Sequence, residues 1–185
     1  MSATDATAPR PSPVTVRRAE EGDGAALVPL LAGFRVALAA LHGRTPSPDL
    51  EAARRELADY RARRYPIFVA EIEGQAVGLL VCRVDDDVVW AEALYVAPPY
   101  RRRGVAAALY AQAEALAARL GSPTVYNWVH PNNTAIIRFL KQRGYDVLNM
   151  VEVRRPLPGE SLGGRVQVGP HEFAYPVDVE QHRKG

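Results

Sequence analysis

Cysteine is nearly absent. Cys82 is the single one in 185 residues, which excludes an internal disulfide and every multi-cysteine zinc or iron–sulfur site. A reducing compartment follows, so the cytoplasm is the expected location. Charge of one sign is also scarce: 23 basic against 21 acidic residues leave +2, too small a surplus to announce nucleic acid or an anionic membrane surface as partner. No uninterrupted apolar run approaches the roughly 18 residues of a membrane span, and the opening segment lacks the apolar stretch of a secretory signal. His42 and His130 stand alone in loops with no second ligand at helical spacing, so no metal is expected.

What is present is ordinary for a globular protein, with 48% apolar and 24% charged residues. Residues 1–13 are small, polar and proline-rich, too poor in apolar surface to offset the entropy of ordering, and read as a disordered tail. Residues 14–185 show no repeat and no long linker and read as one folding unit.

Along that unit, 14–16 begins a strand and Asp23 caps an apolar helix through Leu27, Leu30, Leu31, Phe34, Leu38 and Leu41, with a kink or restart expected at Pro29. Ser47-Pro48 reads as the cap of a second helix ending before Pro66. Strand-like runs follow at 67–72, 76–84 and 88–96, separated by turn residues, and form an antiparallel meander. Residues 105–120 are alanine-rich, carry Leu109, Leu116 and Leu120 on one stripe, and stop at Gly121. A strand at 124–129, a helix at 134–143, a strand at 145–153 and a last strand at 165–175 complete the pattern. The helical crossover makes the strands ending at 96 and 129 parallel neighbours. Cys82, inside a strand, reads as a buried small hydrophobe, and Trp90 and Trp128 as core or pocket wall.

Between strand and long helix stands Val96-Ala97-Pro98-Pro99-Tyr100-Arg101-Arg102-Arg103-Gly104-Val105-Ala106. The first-turn amides of a helix lack intrahelical partners, the dipole is positive there, and glycine and alanine remove bulk where an anion must approach the backbone. Arg101, Arg102 and Arg103 add positive charge. The segment is neither a Walker loop nor Gly-x-Gly-x-x-Gly.

The pattern Arg101-x-x-Gly104-x-Ala106, following a strand with a Val-x-Pro exit, resembles the acyl-CoA signature of the GNAT N-acetyltransferase superfamily. About thirty residues downstream, Asn133-x-x-Ile136-Ile137-x-Phe139-Leu140-x-x-x-Gly144-Tyr145 is similar to a second segment of that family. The resemblance implies a single-domain α/β fold, with a mixed, mostly antiparallel sheet flanked by helices. It also implies an N-acetyltransferase that uses acetyl-CoA as cosubstrate and an amine as acceptor, reacting by direct attack in a ternary complex. Membrane and nucleic acid are not expected partners, and a homodimer stays an open expectation.

The resemblance further implies that the CoA pyrophosphate lies on the amides of Arg102, Arg103, Gly104, Val105 and Ala106. The pantetheine arm would pair with backbone near Leu94 and Val96, an N–H near Tyr95 or Val96 would serve the oxyanion, and Asn133 would touch the cofactor or cap its helix. Glu92, placed by strand period on the face of Leu94 and Val96, is the candidate general base. Where many relatives carry a tyrosine as general acid, this chain has Leu140. Tyr145 is the candidate substitute, with Tyr126 and His130 behind it, although a thiol of pKa near 8.5 leaves near neutral pH with little help. The acceptor would meet residues 33–49 and 157–165, where Arg35 and Arg44 would suit a carboxylate. The alternative is a non-catalytic acyl-CoA-binding or regulatory module, motivated by Leu140. A nucleic-acid-binding domain using Arg61, Arg63, Arg64 and Arg101 to Arg103 is disfavoured by the net charge.

Overall fold

The computed structural model describes residues 12–160 and 162–175. The expected tail lies, for residues 1–11, outside them. The elements are β1 (Thr15–Arg18), α1 (Gly24–Ala40), α2 (Leu50–Ala62), β2 (Ile67–Ile72), β3 (Gln75–Asp85), β4 (Val88–Val96), α3 (Val105–Leu120), β5 (Val125–Tyr126), α4 (Thr134–Gln142), β6 (Gly164–Val168) and β7 (His171–Tyr175). The chain gathers into two compact units, the first ending at Trp128 and the second beginning at Val129.

The first unit holds a mixed sheet in the order β1-β2-β3-β4-β5, antiparallel except for the parallel β4–β5 pair. One face packs on α1 and α2, where Leu27, Leu31, Ala53 and Leu57 meet Val69, Leu79, Val81 and Ala93. The other face packs on α3. A Cβ placed on Gly78 of β3 would lie 3.2 Å from Val105 and 3.1 Å from Leu109 of that helix, and 2.9 Å from the carbonyl oxygen of Tyr95.

Several local expectations are corrected. Pro29 sits inside α1 without ending it. Losing its one donor costs about 3 kcal/mol, while burial of Leu27, Val28, Leu30 and Leu31 beside it contributes roughly 1.5 to 3 kcal/mol each. The helical stretch Glu21–Ala40 thereby reaches a length and composition that would suffice to cross a membrane, although its apolar face is occupied by the sheet. Asp23 precedes α1 but does not cap it with its side chain. Its carboxylate accepts from the Glu20 N–H and from Arg17, whose guanidinium also reaches Glu71 on β2 at 2.7 Å, and the Arg17 hydrogen bonds hold its pKa down at about 2. Asp49, not Ser47, caps α2, accepting from the Ala52 N–H at 2.9 Å, because an ionised carboxylate is the stronger acceptor.

The strand expected over 124–129 is only Val125–Tyr126. The Asn127 side chain turns back to donate to the Val125 carbonyl and accepts from the Tyr110 hydroxyl, competing with a continued ladder.

The second unit holds α4 and a two-stranded hairpin. The last expected strand is that hairpin, β6 and β7, turned at Gly169 with φ +56°. The strand expected over 145–153 is absent, and Val147, Leu148, Met150, Val151 and Val153 are exposed. Strand propensity reports how side chains fit a pleated, half-buried surface, and no ladder among the described residues provides one here.

Gly78 is where β3 comes closest to α3, and its neighbours on that side include the backbone of β4. Gly78→Ala is expected to lower stability by about 1 to 3 kcal/mol through overpacking, read as a reduced midpoint in chemical denaturation with an unchanged slope.

Candidate active site

The loop after β4 runs through a 3-10 turn, Pro98–Tyr100, into α3. Arg102 and Gly104 both take left-handed backbone, with φ +62° and +80°. For arginine this costs roughly 1 to 2 kcal/mol, a strain of the kind that clusters at functional sites. The hydrogen bonding of α3 begins at Ala108, whose N–H donates to the Gly104 carbonyl at 3.0 Å. The N–H groups of residues 105–107 therefore precede any intrahelical acceptor and point out of the positive end of a sixteen-residue helix. A Cβ on Gly104 would meet nothing within 4 Å, so the backbone there is open to an approaching group. Val105 offers only its N–H, since its side chain is buried, and Ala106 is half-buried.

The three arginines divide their work. Arg102 and Arg103 are exposed at the loop, Arg103 lying 5.6 Å above the Tyr100 ring. Arg101 instead donates from Nε to the Val96 carbonyl at 3.0 Å and covers the Tyr95 ring at 5.7 Å, tying the loop to the end of β4.

β4 and β5 are paired only at Val89 with Val125 and Trp90 with Tyr126. Beyond Trp90 the edge of β4 toward β5 has no ladder partner among the described residues, so Leu94, Tyr95 and Val96 lie on the expected splayed stretch. Leu94 stands opposite Leu80 and Val96 opposite Gly78, on the α3 side, whereas the Tyr95 ring lies against Gly33 of α1.

The strand period fails for Glu92. The β3–β4 register shifts between Val81 and Cys82, which face Ala93 and Ala91, so Glu92 is the extra residue of a bulge. Val81 packs into the α1/α2 core. Arg83, two residues on, is presented to the same side, and its Nε lies 3.4 Å from the Glu92 carboxylate. Glu92 is thus on the face of Tyr95, not of Leu94 and Val96 as alternation predicts.

Around Glu92 stand groups that sequence reasoning missed or left as wall. Arg83 is stacked over Trp90 at 4.9 Å and Trp128 at 5.3 Å, and it donates to Asp85 at 2.7 Å. Trp90 also meets Tyr126 at 5.1 Å and Trp128 at 5.3 Å. Nothing in the chain marks Arg83 except its place across the hairpin from Trp90. Arg35 is not free for a carboxylate: it pairs through two nitrogens with Glu56, which also accepts from the Tyr60 hydroxyl at 2.5 Å. Burial and this hydrogen bond push the Tyr60 pKa up, so its phenol keeps its proton.

In the second unit, the Asn133 side chain caps α4 by accepting from the Ile136 N–H at 3.3 Å. Tyr145 follows the glycine that ends that helix, its N–H donating to the Leu140 carbonyl at 3.0 Å. Leu140 is buried and has no proton to give. Among the described residues no cluster of three or more metal-ligating side chains occurs.

An open helix N-terminus thus lies beside a parallel pair that parts early, with a carboxylate on the bulged strand. Residues 35–145 match the Acetyltransferase (GNAT) family model. The chain belongs to the GNAT acetyltransferase family. No curated protein matches it in sequence. Among solved structures, AAC(6')-Iy in complex with a CoA bisubstrate analogue shares 20% identity at a TM-score of 0.61, over 79% of this chain and 99% of that one. The PaiA N-acetyltransferase of Thermoplasma acidophilum in complex with coenzyme A shares 17% at 0.60, over 71% and 88%. The aminoglycoside 6'-N-acetyltransferase AAC(6')-IG of Acinetobacter haemolyticus shares 20% at 0.55, over 77% and 97%. At these identities the likeness establishes the shared fold, the mixed, mainly antiparallel sheet flanked by helices.

Cys82 takes no part in this cleft. It is fully buried, and burial pushes its thiol up to about 12. A disulfide reagent at pH 8 is expected to leave the native thiol unlabelled and to label it stoichiometrically once the chain is unfolded in denaturant, read by absorbance.

Proposed function

We propose that this chain transfers an acetyl group from acetyl-CoA to a primary amine by direct attack in a ternary complex. The observation that carries the reading is the free helix end: three outward amides, an uncovered Gly104 and two exposed arginines form a seat for a diphosphate. The splayed edge of β4 would receive the pantetheine arm as an added strand, and the backbone near Tyr95 and Val96 would supply a donor for the developing oxyanion.

The acceptor amine arrives protonated and must lose a proton before it attacks the thioester carbon. Glu92, carried on the bulge, is our candidate to take that proton through a water. The nitrogen lone pair then forms the bond to the thioester carbon, the carbon–sulfur bond breaks with its electron pair leaving on sulfur, and the surplus proton still on nitrogen passes to solvent to give the neutral amide. Because a thiol has a pKa near 8.5, the thiolate departs near neutral pH without a strong acid, so Leu140 at the position of the family tyrosine does not argue against turnover. Tyr145 remains our candidate to return a proton to sulfur. Asn133, already a helix cap, is proposed to meet the cofactor as well. Cytoplasmic location, and the absence of membrane and nucleic-acid partners, are proposed on composition alone.

Gly104→Asp puts a side chain and a negative charge where the diphosphate would sit; open space receives the side chain, and the left-handed backbone costs about 1 to 2 kcal/mol, too little to unfold the chain. CoA affinity is expected to fall more than about tenfold by calorimetry, with the circular dichroism spectrum retained; undiminished affinity would exclude the loop as the CoA seat. Glu92→Gln is expected to lower kcat by about a hundredfold with CoA binding intact. A kcat unchanged from wild type would remove Glu92 from the reaction.

A further inference from the structure

Beside the candidate base lies a ring platform. Trp90 and Tyr126 are paired neighbours on β4 and β5, so they share a face, and Arg83, opposite Trp90, brings Glu92 to that same side. Trp128 completes the cluster and is 70% exposed. An indole left in water gains by being covered, because its apolar area is large.

The platform is already rigid. The Arg83 guanidinium lies over both indoles and is held by Asp85 and Glu92, and its side chain is only 22% exposed. A ligand ring that stacks on Trp128 would therefore order little that is not ordered beforehand. The same guanidinium decides what kind of ligand fits. It supplies a cation to the stack, so a second cation on the indoles meets like charge. Asp85 and Glu92 both contact Arg83, so the carboxylates nearest the rings are already paired with a cation. A flat, uncharged ring meets no such penalty. Arg83 touches both the Glu92 carboxylate and the two indoles, so an amine held at Glu92 is one short linker from the ring surface.

Resting on the acetyl-transfer reading above, we propose that the acceptor is an arylalkylamine: a primary amine one short alkyl linker from a planar aromatic ring. The ring stacks on Trp128 and Trp90, and the nitrogen faces Glu92.

The test compares phenylethylamine, ethylamine and spermidine as acceptors by thiol release. Phenylethylamine binding is measured independently of turnover by calorimetry. Phenylethylamine is expected to show a KM at least about tenfold below that of ethylamine. Trp128→Ala should erase most of that ratio and Trp128→Phe should restore it, with acetyl-CoA affinity equal in all three proteins. An exposed indole is a safe site to vary, and the phenylalanine variant controls for local disorder. Turnover of ethylamine or spermidine with no aromatic preference, or a preference untouched by Trp128→Ala, overturns the ring site and leaves acetyl transfer standing. Binding of phenylethylamine that depends on Trp128, with no thiol release from any amine, keeps the ring site and overturns acetyl transfer.

Discussion

The site depends on a brief partnership. β4 and β5 are hydrogen-bonded at two positions and then part. Had the ladder continued, the backbone of β4 from Ala91 to Val96 would be saturated by its neighbour and could offer nothing to a ligand. The parting has a local cause. Asn127 folds its amide onto the Val125 carbonyl and takes the Tyr110 hydroxyl of α3, ending β5 early and fixing it to the helix behind. Tyr110 lies in the first half of α3, just beyond the free amides of 105–107, so one end of one helix both holds β5 short and carries the candidate anion seat.

The second constraint is the bulge. One extra residue in β4 turns Glu92 from the α3 side of the sheet to the α1/α2 side, where Tyr95, Arg83 and the two tryptophans lie. Side chains of β4 are thereby divided between two faces of the sheet. Leu94 and Val96 look toward α3, and Glu92 looks toward the α1/α2 side. A regular strand would have put the candidate base on the same side as Leu94 and Val96.

Much of this architecture was legible in the chain. The alanine-rich helix 105–120, the strands 67–72 and 88–96 and the parallel crossover follow from periodicity and stop signals that agree with the tertiary packing. The candidate phosphate loop was legible as a strand-to-helix turn because its signals are local: glycine, small residues and basic residues at a helix start. Departures arise where a long-range partner overrides a local rule. Alternation cannot foresee a bulge whose cause is register against β3. Ser47-Pro48 looks like a cap until Asp49 competes. Arg35 looks like an anion receptor until Glu56 of α2 meets it. The run 145–153 has strand composition, but composition cannot provide a neighbour.

The apolar helix α1 has a consequence for how the molecule is made. Leu27 and Leu31 bury themselves against Leu79, Val81 and Ala93, residues that leave the ribosome only after the whole β2–β3–β4 meander has been synthesised. Until then the stretch has the length and greasiness of a membrane span and only the short face of α2 to lie on. The nascent chain therefore carries its most adhesive surface first and its shelter last, so the speed of hairpin closure bears on how much polypeptide survives to fold.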